Sequence, residues 1–133
     1  MMDEILKNIQ KIAIVGLSPD ESKASNMVAK YLLHNGYDIY PVYPKYDEIL
    51  GCKSYKNLSD IKDKIDICVM FRKGEYANDL IHEVIKCAIP TLWLQLGITN
   101  QNAKQIAADN AINFIQDKCI KIELQRLKND TFK

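Results

Sequence analysis

The sequence lacks the cysteine and histidine patterns that build metal centres and disulfide frameworks. Its four cysteines stand at positions 52, 68, 87 and 119, too far apart for a Cys-x-x-Cys pair, and it has only two histidines. Neither a zinc site nor a disulfide framework is therefore expected. His34 and His82 fall in predicted helices, and we expect both at the surface.

An excess of charge of one sign is also missing. The chain has 18 Lys+Arg against 17 Asp+Glu, a formal net charge of +1. Without a bulk field there is no long-range attraction for nucleic acid or anionic membranes, so neither is expected as a partner. No apolar run approaches the length of a membrane span, and the start, "MMDEILKNIQK", is not a basic segment followed by an apolar one. These features predict a soluble protein of the cytoplasm.

Linkers rich in proline, glycine or serine are absent, as are internal repeats. The 133 residues are a usual size for one domain, and the 47% hydrophobic content supports a core. A single domain over residues 1–133 is expected.

What the chain does contain is a regular alternation of apolar runs and amphipathic segments. Five short runs with little charge predict buried parallel strands: 11–15, 38–42, 65–70, 91–94 and 112–115. Four segments between and after them predict helices: 25–36, 75–88, 100–110 and 119–128. The predicted fold class is α/β, a doubly wound, Rossmann-like sheet of five parallel strands in a three-layer α/β/α architecture.

A sheet of this kind predicts the place of its own binding site. In the usual strand order 3-2-1-4-5, a crevice opens where strands one and four diverge at their carboxyl ends, which carry Gly16 and Leu94. We therefore expect the loop "GLSPDESKAS" to face the stretch "WLQLG" across this crevice. Trp93 is there either as a ligand contact or as core packing, and Gln95 can bond a ligand amide or a backbone group.

The loop after the first strand has one glycine where the dinucleotide fingerprint has three. Gly16 allows a sharp turn, Ser18 offers a hydroxyl and Lys23 a positive charge. Ser25 is expected to cap the next helix, whose amino end favours an anion. The pattern suits a phosphate, although an ordinary strand–helix connection with a solvated lysine has the same residues.

The end of the second strand distinguishes between nucleotides. An NAD enzyme has an acidic residue there to bind the ribose hydroxyls, whereas this chain has Tyr43, Pro44 and Lys45. A cation at this place favours a phosphate on the ribose. Coenzyme A and NADP therefore fit better than NAD.

Several motifs in this order resemble the small single-domain CoA-binding proteins, a family related to the nucleotide-binding domain of the succinyl-CoA synthetase α subunit. The resemblance covers about residues 10 to 127 and rests on "VGLS", "KAS", "VYPK", "ILGCKSYKNLSDI", "ICVMFRK", "LWLQLGI" and "DKCIKIELQRL". It implies a CoA-binding Rossmann fold whose ligand is coenzyme A or an acyl-CoA.

The resemblance also implies the residues of the site. At the pyrophosphate and the entry of the pantetheine arm it implies the first loop: Gly16, Leu17, Ser18, Lys23 and Ser25. Around the adenosine and its 3′-phosphate it implies two further groups: Tyr43, Pro44 and Lys45, with Phe71 and Arg72 on the adenine side.

Cys119 follows the fifth predicted strand and precedes a predicted helix. The helix dipole, with Lys118 and Lys121, would favour its thiolate, and a mixed disulfide with the thiol of CoA is then chemically reasonable. The alternative is an ordinary packing residue.

No local motif provides a catalytic set. The phosphorylated-histidine loop of the synthetase α subunit would lie in a second domain, so no catalytic residue is assigned and enzyme activity is left open. The expected function is a CoA-binding module, with room for an unidentified protein partner. The alternatives are an NADP-dependent reductase and an interaction scaffold without a nucleotide.

Overall fold

A computed structural model describes residues 1–131, so Phe132 and Lys133, the end of the expected domain, lie outside the described residues. The helices are α1 (Met2–Lys7), α2 (Ala24–His34), α3 (Ala77–Lys86), α4 (Gln101–Asp109) and α5 (Ile120–Thr131). The strands are β1 (Lys11–Val15), β2 (Asp38–Val42), β3 (Glu48–Ile49), β4 (Cys52–Lys53), β5 (Ile67–Met70), β6 (Thr91–Leu94) and β7 (Asn113–Ile115). The short 3-10 turns are Leu58–Asp60 and Gly74–Tyr76.

Five strands form one parallel sheet in the order β2-β1-β5-β6-β7, which confirms the predicted doubly wound α/β class. The predicted strand order 3-2-1-4-5 is wrong, because the third long strand, β5, pairs with β1 instead of lying outside β2. The outer edge of β2 is taken by residue 55, whose N–H donates to the carbonyl of Pro41 at 2.9 Å. Pro41 has no N–H to offer a further strand, so β2 suits the edge of a sheet.

The alternation of side chains in each strand supplies two separate cores. On one face, Ile12 and Ile14 of β1 pack with residues of α1, α2 and α5. On the other face, Ala13 and Val15 pack with residues of α3 and α4. The sheet is therefore covered on both sides, which explains why its strands carry almost no charge.

Element boundaries differ from the predicted ones by only a few residues. Helix α2 ends at His34 rather than at residue 36, because Gly36 takes φ +87° and the N–H of Tyr37 donates to the carbonyl of Leu32 at 3.1 Å. This is a Schellman ending. Helix α1 and the small hairpin of β3 and β4 were not among the predicted elements.

The first and last helices are tied together by an ion pair. The guanidinium of Arg126 in α5 donates to the carboxylate of Asp3 in α1 at 2.6 Å, and it also bonds Glu123 and Asp130. None of the helices within residues 1–131 has the length and apolar character needed to cross a bilayer.

Candidate ligand-binding crevice

The observed strand order places the crevice between a different pair of strands from the predicted one. Helix α2, which follows β1, packs on one face, and helix α3, which follows β5, packs on the other. The loops after β1 and β5 therefore leave in opposite directions, and the crevice lies between these two strands rather than between β1 and β6. Leu94 lies one strand further away.

The two loops that border the crevice touch at Gly16. This residue has φ +85°, and a β-carbon placed on it would lie 2.8 Å from Cδ of Arg72 and 2.8 Å from the carbonyl oxygen of Phe71. Only glycine allows this approach without a shift of the neighbouring backbone. The contact holds the side chain of Arg72 across the carboxyl end of β1.

A cavity of about 350 Å³ opens beside this contact. The residues that line it come from the ends of β1, β2 and β5: Gly16, Tyr43, Pro44, Lys45 and Arg72. All five were predicted as site residues, and the fold brings them together from positions far apart in the chain. Among the residues that the structure describes, the lining carries two cations and no carboxylate, so its electrostatic preference is for an anion.

The position of Tyr43 is fixed by the segment that follows β2. Its N–H donates to the carbonyl of Tyr55 at 3.0 Å, and its own carbonyl accepts the hydroxyl of Ser54 at 3.1 Å. Its ring lies 5.6 Å from that of Tyr46. The hairpin of β3 and β4 thus supports the wall of the cavity that carries Lys45.

A second cavity of about 410 Å³ lies on the other side of Arg72 and is lined by Arg72, Lys73, Glu75, Tyr76 and Asp79. The guanidinium carbon of Arg72 lies 4.7 Å above the ring of Tyr76, a cation–π contact that orients an otherwise exposed side chain. Tyr76 was not among the predicted site residues, because its position depends on the 3-10 turn Gly74–Tyr76 before α3.

The first loop is organised differently from the expectation. Ser25 was predicted to cap α2, but the N-cap is Lys23, whose side chain makes no capping bond. The hydroxyl of Ser25 instead accepts the N–H of Ser18 at 3.0 Å, so it is used to shape the loop. The backbone N–H groups of residues 24 and 25 have no acceptor among the described residues, which leaves the positive end of the helix free.

The loop tip is held by a local turn. Both the N–H and the hydroxyl of Ser22 donate to one oxygen of Asp20, at 2.9 Å and 2.8 Å. These bonds lower the pKa of Asp20 below its ordinary value, so this carboxylate is ionised at neutral pH. Lys23 is exposed beside the turn. The side chain of Leu17 is buried in the core, so only the backbone of this loop residue is available to a ligand.

Asn26 is a further feature that the sequence did not reveal. Its side chain is buried, and its Nδ2 donates to the carbonyl of Ser18 at 2.9 Å. Its Oδ1 is the one buried side-chain oxygen or nitrogen within residues 1–131 that has no hydrogen-bond partner. An unpaired buried acceptor costs about 1–3 kcal/mol, so a donor at this place would stabilise the loop.

Trp93, Gln95 and Cys119 cluster around the start of α5. Trp93 is fully buried and its Nε1 donates to the carbonyl of Lys118 at 2.8 Å, while Oε1 of Gln95 accepts the N–H of Ile120 at 2.9 Å. These bonds attach the loop before α5 to β6. Cys119 is half-buried against the core on the α2 side. A ligand contact of these three residues stays a prediction.

Other chemistry has little support in the described part of the chain. No group of three or more His, Cys, Asp or Glu side chains within residues 1–131 could hold a metal ion. His34 and His82 are exposed, as predicted. The four cysteines are free thiols.

The fold and its crevice define a doubly wound α/β domain of the Rossmann-like class. The family model for the CoA binding domain matches residues 10–125, so this chain belongs to the CoA-binding domain family. The expected family resemblance is thereby confirmed.

Individual relatives agree with this assignment. The chain is 38% identical over 119 residues to uncharacterized protein YneT of Bacillus subtilis, covering 90% of this chain and 88% of that one. A solved structure of a hypothetical protein from Pyrococcus horikoshii OT3 superposes with a TM-score of 0.91 at 38% identity, over 95% of this chain and 89% of the other. An ADP-forming acetate–CoA ligase of Methanocaldococcus jannaschii is 43% identical over 61 residues, which are 46% of this chain but 9% of the ligase.

Proposed function

We propose that this protein binds coenzyme A or an acyl-CoA in the crevice between β1 and β5, and that it acts as a CoA-binding module. The observation that supports this most is the cavity lined by Gly16, Tyr43, Pro44, Lys45 and Arg72. It combines an aromatic wall, a close backbone approach and two cations at the place where α/β sheets bind ligands.

The pyrophosphate of CoA suits the first loop. The free N–H groups of residues 24 and 25 at the start of α2 can donate to its oxygens. Lys23 adds a full charge next to them. The loop lacks the second and third glycines that let the pyrophosphate of a dinucleotide lie directly on the helix, which argues against NAD and NADP.

The ribose 3′-phosphate of CoA suits Lys45. This side chain is exposed at the rim of the cavity, and no carboxylate from residues 1–131 lines the same cavity. The described part of the lining therefore has no acidic residue that would bind the two ribose hydroxyls of NAD. The ligand we expect therefore carries a phosphate on its adenosine ribose.

The similarity to an acetate–CoA ligase covers 9% of that enzyme, so its activity is not carried over to this chain. We assign no catalytic residue. Chemistry on a bound thioester would come from an unidentified protein partner, and we place both proteins in the cytoplasm.

Isothermal titration calorimetry and thermal unfolding with CoA, dephospho-CoA, NADPH and NADH test the proposal. CoA should bind most tightly, and at a hundredfold excess over Kd it should stabilise the fold by about 2.7 kcal/mol. A larger effect of NADPH than of CoA would instead favour a reductase. If none of the four ligands binds, the remaining alternative is an interaction scaffold that holds no nucleotide.

A further inference from the structure

A groove lies between α1, α2 and α5, at the opposite end of α2 from the crevice. It has a volume of about 350 Å³, which is in the range of small-molecule sites. Its floor is apolar and consists of Leu6, Ile9, Leu124 and Leu127. Leu6, Ile9 and Leu124 also belong to the packed core, so the floor is held in shape by the fold.

The rim of the groove is polar, and its charges are all of one sign. It consists of Lys7, Tyr31, Asn35, Tyr37 and Lys128, and no carboxylate lines the groove within residues 1–131. Burial raises the pKa of Tyr31 and of Tyr37, so both phenols keep their protons at neutral pH. Neither hydroxyl has a hydrogen-bond partner among the described residues, so both O–H groups are available as donors.

Each of the two ammonium groups stands in the last turn of its helix, Lys7 in α1 and Lys128 in α5, where it also complements the helix dipole. The last carbonyls of α2 already accept backbone N–H groups of residues 35, 36 and 37. Lys7 and Lys128 form no ion pair within residues 1–131. Arg126, and to a smaller degree Lys7, lower the pKa of Asp3, but that carboxylate is bonded to Arg126 at 2.6 Å.

We propose that this groove binds a small amphipathic carboxylate, an anion with an unbranched apolar tail. The tail lies on the floor of leucine and isoleucine side chains, where its burial is favourable. The carboxylate lies between Lys7 and Lys128 and accepts the phenolic hydrogens of Tyr31 and Tyr37 in charge-assisted hydrogen bonds. The groove is therefore complementary to such a ligand both in charge and in apolar surface.

The groove is separate from the CoA crevice. Helix α2 has 11 residues, which span about 16 Å, and Lys23 is at its start while Tyr31 and Asn35 are near its end. Binding in the groove therefore does not depend on Lys45 or Arg72. The two proposals can succeed or fail independently.

The test uses decanoate below its micelle concentration, with decanol and acetate as probes that have only the tail or only the charge. We expect decanoate to shift the backbone amide NMR signals of residues 6–9, 31–37 and 124–128, while decanol and acetate bind at least tenfold more weakly. Lys45→Gln should bind decanoate as the wild type does. Equal binding of decanol and decanoate, or shifts confined to the residues around the crevice, would overturn the proposal.

Two double variants test the rim. Lys7→Gln with Lys128→Gln should weaken decanoate roughly two- to fivefold per charge removed. Tyr31→Phe with Tyr37→Phe keeps the shape of the groove and should weaken decanoate while leaving decanol unchanged. The matched control is Lys86→Gln with Lys104→Gln, two exposed lysines of α3 and α4. Unchanged decanoate affinity in both rim variants would contradict the proposal. So would concentration-dependent broadening of the groove signals without decanoate, because it would indicate that a second copy of the chain occupies the groove.

Discussion

The side chain of Arg72 lies directly on Gly16, so that a β-carbon at position 16 would be 2.8 Å from Cδ of Arg72. This contact joins the loops after β1 and β5 and separates the two cavities of the crevice, because Arg72 lines both of them. Gly16 also has a φ of +85°, a backbone conformation that favours glycine at this position.

Gly16→Ala should therefore destabilise the fold for two reasons, the positive φ and the collision with Arg72 and Phe71. The backbone strain alone costs about 1 kcal/mol or more, and the collision adds to it. Urea unfolding measures the loss. The matched control is Gly36→Ala, which has φ +87° but nothing within 4 Å of its added carbon. If Gly16→Ala lowers the free energy of unfolding no more than Gly36→Ala does, the contact with Arg72 does not contribute to stability.

Lys45→Gln should weaken CoA and leave dephospho-CoA nearly unchanged, since only CoA has the 3′-phosphate that this ammonium would contact. The difference should shrink at high salt, because the rim of the cavity is exposed and the charges are screened. Calorimetric titration at two salt concentrations measures both effects. Lys56→Gln, an exposed lysine that does not line the crevice, should leave both ligands unchanged. If the two ligands weaken alike in Lys45→Gln, the lysine has another role.

Tyr76→Leu tests whether the orientation of Arg72 contributes to binding. The variant keeps the guanidinium but removes the ring beneath it, at a cost of about 0.5–1 kcal/mol, so CoA affinity should fall roughly two- to fivefold. Tyr55→Leu removes a comparable ring under Lys53, outside the crevice, and should leave CoA binding unchanged. Arg72→Gln should weaken CoA more than Tyr76→Leu does. The reverse order would mean that Tyr76 contacts the ligand directly.

The elements of the sheet could be read from the sequence because their strands are buried on both faces. The apolar runs 11–15, 38–42 and 91–94 coincide with β1, β2 and β6. The strand order could not be read in the same way, since pairing is decided by contacts between distant segments. Pro41 was a usable signal, because a residue without an N–H fits an edge strand and argues against a neighbour outside β2.

The candidate site shows the same division. Gly16, Tyr43, Pro44 and Lys45 were identified from strand ends, and Arg72 was implied by the family resemblance. These five line one cavity, although their contact with a ligand stays a prediction. Tyr76 and Asn26 were missed, because their positions depend on a 3-10 turn and on the residue where α2 begins. The cap assigned to Ser25 was wrong, since its hydroxyl bonds Ser18 instead.

Asp3→Asn should make the stability of the protein less dependent on pH in the acid range. The hydrogen bond from Arg126 holds the pKa of Asp3 below its ordinary value, so this carboxylate stabilises the fold above the pKa of the unfolded chain, about 4. That contribution is lost as the pH falls through the folded pKa. Urea midpoints should therefore be lower in Asp3→Asn at neutral pH and equal to wild type in strong acid. The control is Asp47→Asn, because Asp47 is exposed and forms no ion pair among the described residues. If the urea midpoint of Asp3→Asn were lower than that of the wild type by the same amount at every pH, the stabilisation by Asp3 would not depend on its ionisation.

Cys119 is the thiol that we expect to react with CoA disulfide. It lies half-buried immediately before α5, and the loop that carries it follows β7 at the carboxyl edge of the sheet, where the crevice also opens. Burial raises the pKa of the Cys52, Cys87 and Cys68 thiols, which makes these three less reactive. The thiolate of Cys119 would attack one sulfur of CoA disulfide, form a mixed disulfide and release the other CoA as its thiolate.

Intact-mass measurement after incubation with CoA disulfide should show one CoA-sized addition that disappears in Cys119→Ser. An excess of adenosine 3′,5′-bisphosphate, the nucleotide part of CoA without its thiol, should slow the reaction, because it occupies the crevice and cannot itself exchange with the disulfide. Bis(2-hydroxyethyl) disulfide, which has no nucleotide to place it in the crevice, should react with Cys119 more slowly and should not be slowed by adenosine 3′,5′-bisphosphate. An addition that persists in Cys119→Ser, or none at all in the wild type, would make Cys119 a packing residue against the core that also contains Ile120 and Leu124.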